Sequence, residues 1–407
     1  MSDIQNLLLQ IIGASLFNKD VPRIKQNQIS ELIKEANSHS VFPLMFSVIK
    51  KQVEQTGDKK TIDSCMQLLF ACIAAQTSNF VEHGELHRLM ADNGIGYVAM
   101  KGISSAMYYP NPNLRCSGDV DVFVCDKDFD SAQKLIESAG FEKEKESNDE
   151  IHIAYKRPPF SIWELHKSVN GIPKNEVGEN IAEEIRGIVE TAVETTIEGT
   201  VCMVPDQFHH GLILLLHTAS HLTSEGVGLR HLCDWVVFVS SINDDDFVKL
   251  FKEKLQSFGL WRFAQVLTLL GVNYFSAPKR KWAMMNENIT DDQLEALMTD
   301  ILNGGNFGKK DMNRYREIKY ISNRADSTID NGSVFVQVIK TLNYKVYSDF
   351  SFIDKHRYLL PIGWCVEGFK YIALLLQGKR KSTGTKKMLK EAIKRKSLYL
   401  SLKLFER

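Results

Sequence analysis

Two aspartates two residues apart, Asp119 and Asp121, stand inside the run Asp119-Val120-Asp121-Val122-Phe123-Val124. On a strand such residues leave from one face, about 7 Å apart at the backbone. Two carboxylates about 5 Å apart repel by roughly 3 kcal/mol at an effective dielectric of about 20. A strand flanked by Val120, Val122 and Val124 holds both only with a counter-charge, and oxygen ligands select Mg²⁺ or Mn²⁺. The alternative is a pair of exposed acids on an edge strand. The same spacing at Asp126/Asp128, Asp128/Asp130 and Asp244/Asp246 falls in turns or at a solvated helix start. Those pairs lack both the apolar strand and the Ser117-Gly118 that precedes Asp119.

A two-metal phosphoryl site wants a third carboxylate from a neighbouring strand. In Ser161-Ile162-Trp163-Glu164-Leu165-His166-Lys167, Glu164 and His166 share one face while Trp163 and Leu165 share the other. Glu164 is the candidate third ligand, and its alternative is a surface acid paired with a lysine. His166 either orients a carboxylate, binds substrate, or is a hydrogen-bonded structural histidine. Gly102, between an apolar run and a helical patch, lets backbone amides approach a phosphate. Lys101 and Arg115 add positive charge beside it. Lys101-Gly102 is far from a full Walker loop, so no P-loop is expected.

These residues need a frame to hold them. Residues 1–94 read as helices, with a stop at Asn93-Gly94. Strand signals follow at Tyr97 to Met100, Val120 to Val124, Ile151 to Lys156, Ser161 to Lys167 and Gly199 to Val204. Helical signals separate them at Ile103 to Tyr109 and Ser131 to Ala139. From Asp206, a candidate cap, helical periodicity runs through Phe208 to His221, Leu232 to Val239, Phe247 to Leu255, Trp261 to Leu270 and Leu294 to Leu302. The expected fold class is mixed α+β: a small α/β domain (95–205) with a mixed sheet, embedded between a helical N-terminal region (1–94) and a helical domain (206–310). A C-terminal helical region with a basic tail (311–407) completes it.

His217 and His221 lie one helical turn apart, and Arg230, His231 and Asp234 follow after a glycine-containing turn. This group reads as an interhelical polar network or as a zinc site. Without a Glu after the first histidine it is not the zinc-hydrolase pattern. Gly304 to Gly308 reads as a helix C-cap and turn, and the Trp and Phe residues of the helical parts as core.

With 50 Lys+Arg against 50 Asp+Glu the chain is formally neutral, which argues against a dedicated nucleic-acid binder. Gly378 to Arg407 carries eleven Lys/Arg against Glu391 and Glu406, a local net of +9. That tail is either a solvated helix face or a polyanion contact, so nucleic acid is open but not favoured. Seven scattered cysteines without C-x-x-C spacing fit a reducing cytoplasm. The apolar N-terminus lacks the basic start of a signal peptide, and nothing is long and uncharged enough to span a bilayer.

The stretch "AMKGISSAMYYPNPNLRCSGDVDVFV", followed by "WELH", resembles the uncharacterised nucleotidyltransferases of the polymerase-β-like superfamily. "HTASHL", "LRHLCDW", "ILNGGNFG" and "YLLPIGW" are similar to that family's helical remainder, so the resemblance runs from about residue 60 to 375. The superfamily's Gly-Ser turn is Gly102-Ile103 here, with Ser104 one place later, and the third acid is Glu164 rather than Asp. The resemblance implies transfer of a nucleoside monophosphate from an NTP to a hydroxyl, with pyrophosphate released. Asp119, Asp121 and Glu164 would be the catalytic metal ligands. Lys101, Gly102, Ser104, Arg115, Ser117 and Gly118 would grip the nucleotide phosphates. The acceptor would be a small molecule, a sugar or a protein, and because the resemblance places the helical region beside the α/β site, His166, His217, His221, Arg230 and Asp234 would be its contacts. The rival expectation is a weak or inactive relative that senses nucleotide or binds a partner.

Overall fold

The computed structural model describes residues 1–56, 58–144, 151–285, 288–311, 314, 334–350, 352–353, 356–376 and 385–406. Four helices come first: α1 (Asp3–Phe17), α2 (Ile29–Ser38), α3 (Phe42–Glu54) and α4 (Lys59–Ala91). Ser2 and Gln5 cap α1 reciprocally, each side chain meeting the other's backbone N–H. At 33 residues, α4 is about 50 Å long. Its last turn is followed by Gly94 at φ +67, the expected stop.

A five-stranded mixed sheet is built from β1 (Tyr97–Ala99), β2 (Asp119–Val124), β3 (Glu142–Lys143), β4 (His152–Lys156) and β5 (Ile162–His166). Its order is β1-β2-β5-β4-β3. Only β2 and β5 run parallel; every other pair is antiparallel. The strand carrying the two aspartates is therefore interior, which removes the edge-strand alternative. Between β1 and β2 lies the short helix α5 (Gly102–Ala106), and α6 (Asp126–Ser138) follows β2. Asp126 and Asp128 occupy the first turn of α6, where the helix dipole favours negative charge. Then come α7 (Glu176–Arg186) and a separate hairpin, β6 (Val193–Ile197) with β7 (Thr200–Val204).

The helical part continues with α8 (Gln207–Leu222), α9 (Leu229–Ser240), α10 (Asp244–Ser257), α11 (Trp261–Phe275), α12 (Lys281–Met284) and α13 (Asp291–Gly304). Asp206 caps α8 by accepting from the His209 amide at 2.9 Å. Further helices span Val334–Asp349, Leu360–Leu376 and Thr385–Ser401. Gly305, at φ +70, ends α13 as a cap, in line with the reading of Gly304 to Gly308. Not every aromatic joins the core: Phe369 is 74% exposed.

One apolar cluster joins α1–α3, α8–α11, α13 and the last helix, so the helices before and after the sheet share a core. At Gly13 a Cβ would meet the Phe275 carbonyl oxygen at 2.3 Å; only glycine lets α1 approach α11 this closely. A second cluster fills one side of the sheet with Val120, Val122, Trp163 and Leu165 against Phe80, Leu86 and Met90 of α4. Ala392, Tyr399, Leu402 and Phe405 of the basic tail are buried in the larger cluster. Tyr399 and Arg395 bind Asp300 of α13 at 2.7 and 3.0 Å. That part of the tail is a docked helix with exposed Lys390 and Lys394; residues 377–384 and 407 lie outside the described residues. Among the described residues no helix is long and apolar enough to cross a membrane.

Candidate active site

Register brings the acids together. Asp121 on β2 is the direct partner of Glu164 on the parallel strand β5, and Ala154 and His152 of β4 lie opposite Glu164 and His166. The alternation that buries Val120, Val122, Trp163 and Leu165 turns Asp119, Asp121, Glu164 and His166 to the other face. One ligand atom from each of Asp121, Glu164 and His166 lies within 4.8 Å of the others. Asp119 is half-buried one pleat away on the same face and is not one of the three.

The buried Asp121 carboxylate is heavily partnered. Its Oδ1 accepts from Lys101 Nζ at 2.9 Å and lies 3.0 Å from His166 Nε2. His166 Nε2 is also 3.3 Å from Glu164 Oε2, and the His152 ring stacks on His166 at 4.9 Å. Glu164 thus pairs with His166, and its charge also acts on Lys101. Burial works to raise the Asp121 carboxyl, but Lys101 and His166 outweigh it and hold it far below the usual range. Asp119 is pushed up to about 6, first by the Asp121 charge and then by burial. For His166, burial opposes protonation, yet its bonds to Asp121 and Glu164 leave it raised. The same contest leaves Lys101 raised, with Asp121 and Asp119 outweighing burial.

Lys101 reaches this position through an unusual backbone. It sits at φ +50 and ψ −131, a conformation non-glycine residues rarely adopt. Gly102 follows at φ +24, and a Cβ there would stand 3.7 Å from His83 Nε2 and 3.9 Å from both the Asp119 carbonyl and Ser117 Oγ. The bare glycine leaves that space open beside the acids. Ser104 is buried and its hydroxyl donates to the Ala99 carbonyl, tying α5 to β1. Gly118 is exposed with open space beside it.

Arg115 is buried and forms a two-pronged pair with Asp234 of α9, Nε to Oδ1 and Nη2 to Oδ2, both at 2.8 Å. Its Nη1 donates to Ser117 Oγ at 2.7 Å, and Tyr109 donates to Asp234 at 2.6 Å. Arg115 and Asp234 therefore clamp the loop before β2 to the helical part. Arg230 adds a second clamp, donating to the Cys116 carbonyl at 2.9 Å. His217, His221 and His231 converge, with ring centroids 4.3 to 5.2 Å apart.

Helix α4 supplies groups that sequence reasoning missed. Gln76, Asn79 and His83 lie three and four residues apart, on one helix face, and all are buried. Gln76 accepts from the Ser117 amide at 3.0 Å, and Asn79 donates to the Asp119 carbonyl at 2.9 Å. His83 has neither ring nitrogen partnered, and burial pushes it down to about 4 against the pull of Asp121. Glu82 accepts from the Ser161 amide and Trp163 Nε1, anchoring the start of β5. Polar residues at helical spacing inside an otherwise apolar stripe were the available signal.

Residues 25–276 match the family described as uncharacterised nucleotidyltransferase. The chain belongs to that family. The match spans α2 to α11, and so includes the sheet, the Asp119/Asp121 strand and the histidine helices. A nucleotidyltransferase-like antigenic protein from Paracoccidioides brasiliensis is a solved structure with 18% identity. It covers 51% of this chain and 97% of its own, at a TM-score of 0.34. No curated protein matches the chain closely enough to count as a relative.

Proposed function

We propose that this family member is a divalent-metal-dependent enzyme that moves a nucleoside monophosphate from an NTP to an acceptor hydroxyl. The observation that carries the reading is the register pairing of Asp121 with Glu164, with Asp119 on the same sheet face and Lys101 held against Asp121. Three carboxylates and a histidine are a hard, oxygen-rich donor set suited to Mg²⁺ or Mn²⁺. Asp119, Asp121 and Glu164 would hold such an ion, which would supply charge neutralisation at the phosphates and make the acceptor hydroxyl more acidic.

The chain's own groups then have distinct tasks. Lys101 leaves Asp121 for the triphosphate, and the open space at Gly102 admits phosphate oxygens to the α5 amides. The acceptor oxygen bonds to the α-phosphorus as the bond to the bridging oxygen breaks, and pyrophosphate leaves. The hydroxyl proton passes to the Glu164 carboxylate, whose neighbour His166 steadies the resulting charge distribution. Arg115 and Asp234 position the Ser117-Gly118 loop. The gain comes from positioning and charge neutralisation.

Incubation with an NTP labelled at the α-phosphorus, Mg²⁺ and a fractionated acceptor mixture tests this. Label transfer and pyrophosphate release by wild type, absent in a folded Asp121→Asn variant, are expected; turnover retained by that variant would sink the reading. One observation favours the rival, a nucleotide-sensing or partner-binding protein with weak or no turnover. Ser104 spends its hydroxyl on the Ala99 carbonyl and does not face the phosphate space. Metal-dependent NTP binding without any transfer would select it.

A further inference from the structure

His217 and His221 on α8 and His231 in the first turn of α9 form a cluster with unpartnered ring nitrogens. The Nδ1 atoms of His217 and His221 and the Nε2 of His231 are buried without a hydrogen-bond partner. His231 Nδ1 accepts from the Gly228 amide at 3.3 Å, so in the neutral ring the proton sits on Nε2. A buried N–H without an acceptor is a cost the fold carries until something supplies an oxygen. The same tautomer leaves no lone pair on that nitrogen, which disfavours a metal ligand there.

The charges around the cluster point the same way. Lys101 and Arg230 both act on His217 and His221, and Arg230 and Arg115 act on His231. Asp121 acts on His221 in the opposite sense. Arg230 also has a buried Nε without a partner. The exposed ring of Phe307 lies 4.9 Å from His221, 5.7 Å from His231 and 5.8 Å from the Arg230 guanidinium carbon. Since Lys101 also touches Asp121 and Arg230 also acts on Asp119, the cluster adjoins the acidic site without being part of it.

We infer that His217, His221, His231 and Arg230 bind an anionic group, a phosphate or carboxylate, carried by the acceptor substrate. This rests on the transferase reading above and narrows the acceptor class to a hydroxyl compound bearing such an anion. The anion receives the His231 Nε2–H and the free Arg230 donor, while its hydroxyl end extends toward Glu164.

The test is calorimetric titration of the full chain with inorganic phosphate, with and without a saturating non-hydrolysable NTP analogue and Mg²⁺. Phosphate is expected to bind wild type, and binding is expected to weaken at least about 10-fold in folded Arg230→Gln and His221→Gln variants. It is expected to persist in Asp121→Asn and to survive saturation by the NTP analogue. Displacement by the analogue would assign the cluster to the triphosphate and overturn the acceptor assignment. Stoichiometric zinc lost in the histidine variant, or no phosphate binding by wild type, would overturn the anion site itself. Phosphate binding by a chain that binds no NTP would sink the transferase reading while keeping the anion site.

Discussion

The Lys101 ammonium lies 2.9 Å from Asp121 Oδ1, the same oxygen that lies 3.0 Å from His166 Nε2. One ammonium and one imidazole nitrogen converge on a carboxylate that is 3% exposed, while Asp119 and Glu164 share the same face. Lys101 holds that place through a left-handed backbone residue at the turn from β1 to α5. Strain kept at such a point is stored where the side chain must be aimed.

Removing that lysine should therefore be costly for the fold as well as for nucleotide. Lys101→Met leaves Asp121 with His166 alone, and about 3 kcal/mol of stability should go, the low end for a broken buried pair. Urea unfolding of the variant measures this. NTP affinity should fall at least about 10-fold, the loss of one charge-assisted contact.

The clamp between Arg115 and Asp234 should behave as a structural unit. Asp234→Ala strands a buried guanidinium and the Tyr109 hydroxyl, and should cost about 3–5 kcal/mol. Asp234→Asn keeps one acceptor and should cost less. Both are read by denaturant midpoint, and an Asp234→Ala protein as stable as wild type would contradict the arrangement.

Acid should destabilise the protein early. His83 and His210 are buried and neutral, pushed down by burial to about 4 and about 3. Unfolded histidine titrates near 6.5. The stability tied to these two is complete above about pH 6.5 and lost as pH falls, because the unfolded chain takes up protons first. Together they contribute a slope of about 3 kcal/mol per pH unit between pH 6 and 4. Unfolding free energies at pH 7, 6 and 5 check this, and a folded His83→Gln variant should show a slope shallower by about 1.4 kcal/mol per pH unit.

The last helix should be needed for stability. Tyr399 is 1% exposed, binds Asp300 and receives Arg314 Nη2 at 2.6 Å. Tyr399→Ala should cost about 3–5 kcal/mol, as for other buried aromatic truncations. A chain ending before residue 385 should melt well below wild type in a thermal scan.

Where local pattern and burial agreed, the fold was legible in the sequence. The Val120-Val122-Val124 alternation marked β2, the Trp163/Leu165 alternation marked β5, and Asp206 marked the start of α8. Asp119, Asp121, Glu164 and His166 were found because strand period alone puts them on one face. The two-residue β3 and the polar β6, Val193-Glu194-Thr195-Thr196-Ile197, carry too little apolar signal to stand out. Helix α7 was missed because Glu and Gly interrupt its stripe, leaving Val177, Ile181 and Ile185 as its only large buried apolar residues. What no local pattern encodes is partnership across the chain. Arg115 meets Asp234 from 119 residues away, and His83 comes from a helix ending before the sheet begins.

The central claim is that the Asp119/Asp121/Glu164 face binds nucleotide through a divalent ion. Its most direct test is calorimetric NTP binding with and without Mg²⁺, on wild type and on the Asp119→Asn/Asp121→Asn double variant. The account predicts binding by wild type that needs Mg²⁺ and is lost in the folded double variant. Binding that ignores both the metal and the two aspartates would contradict it.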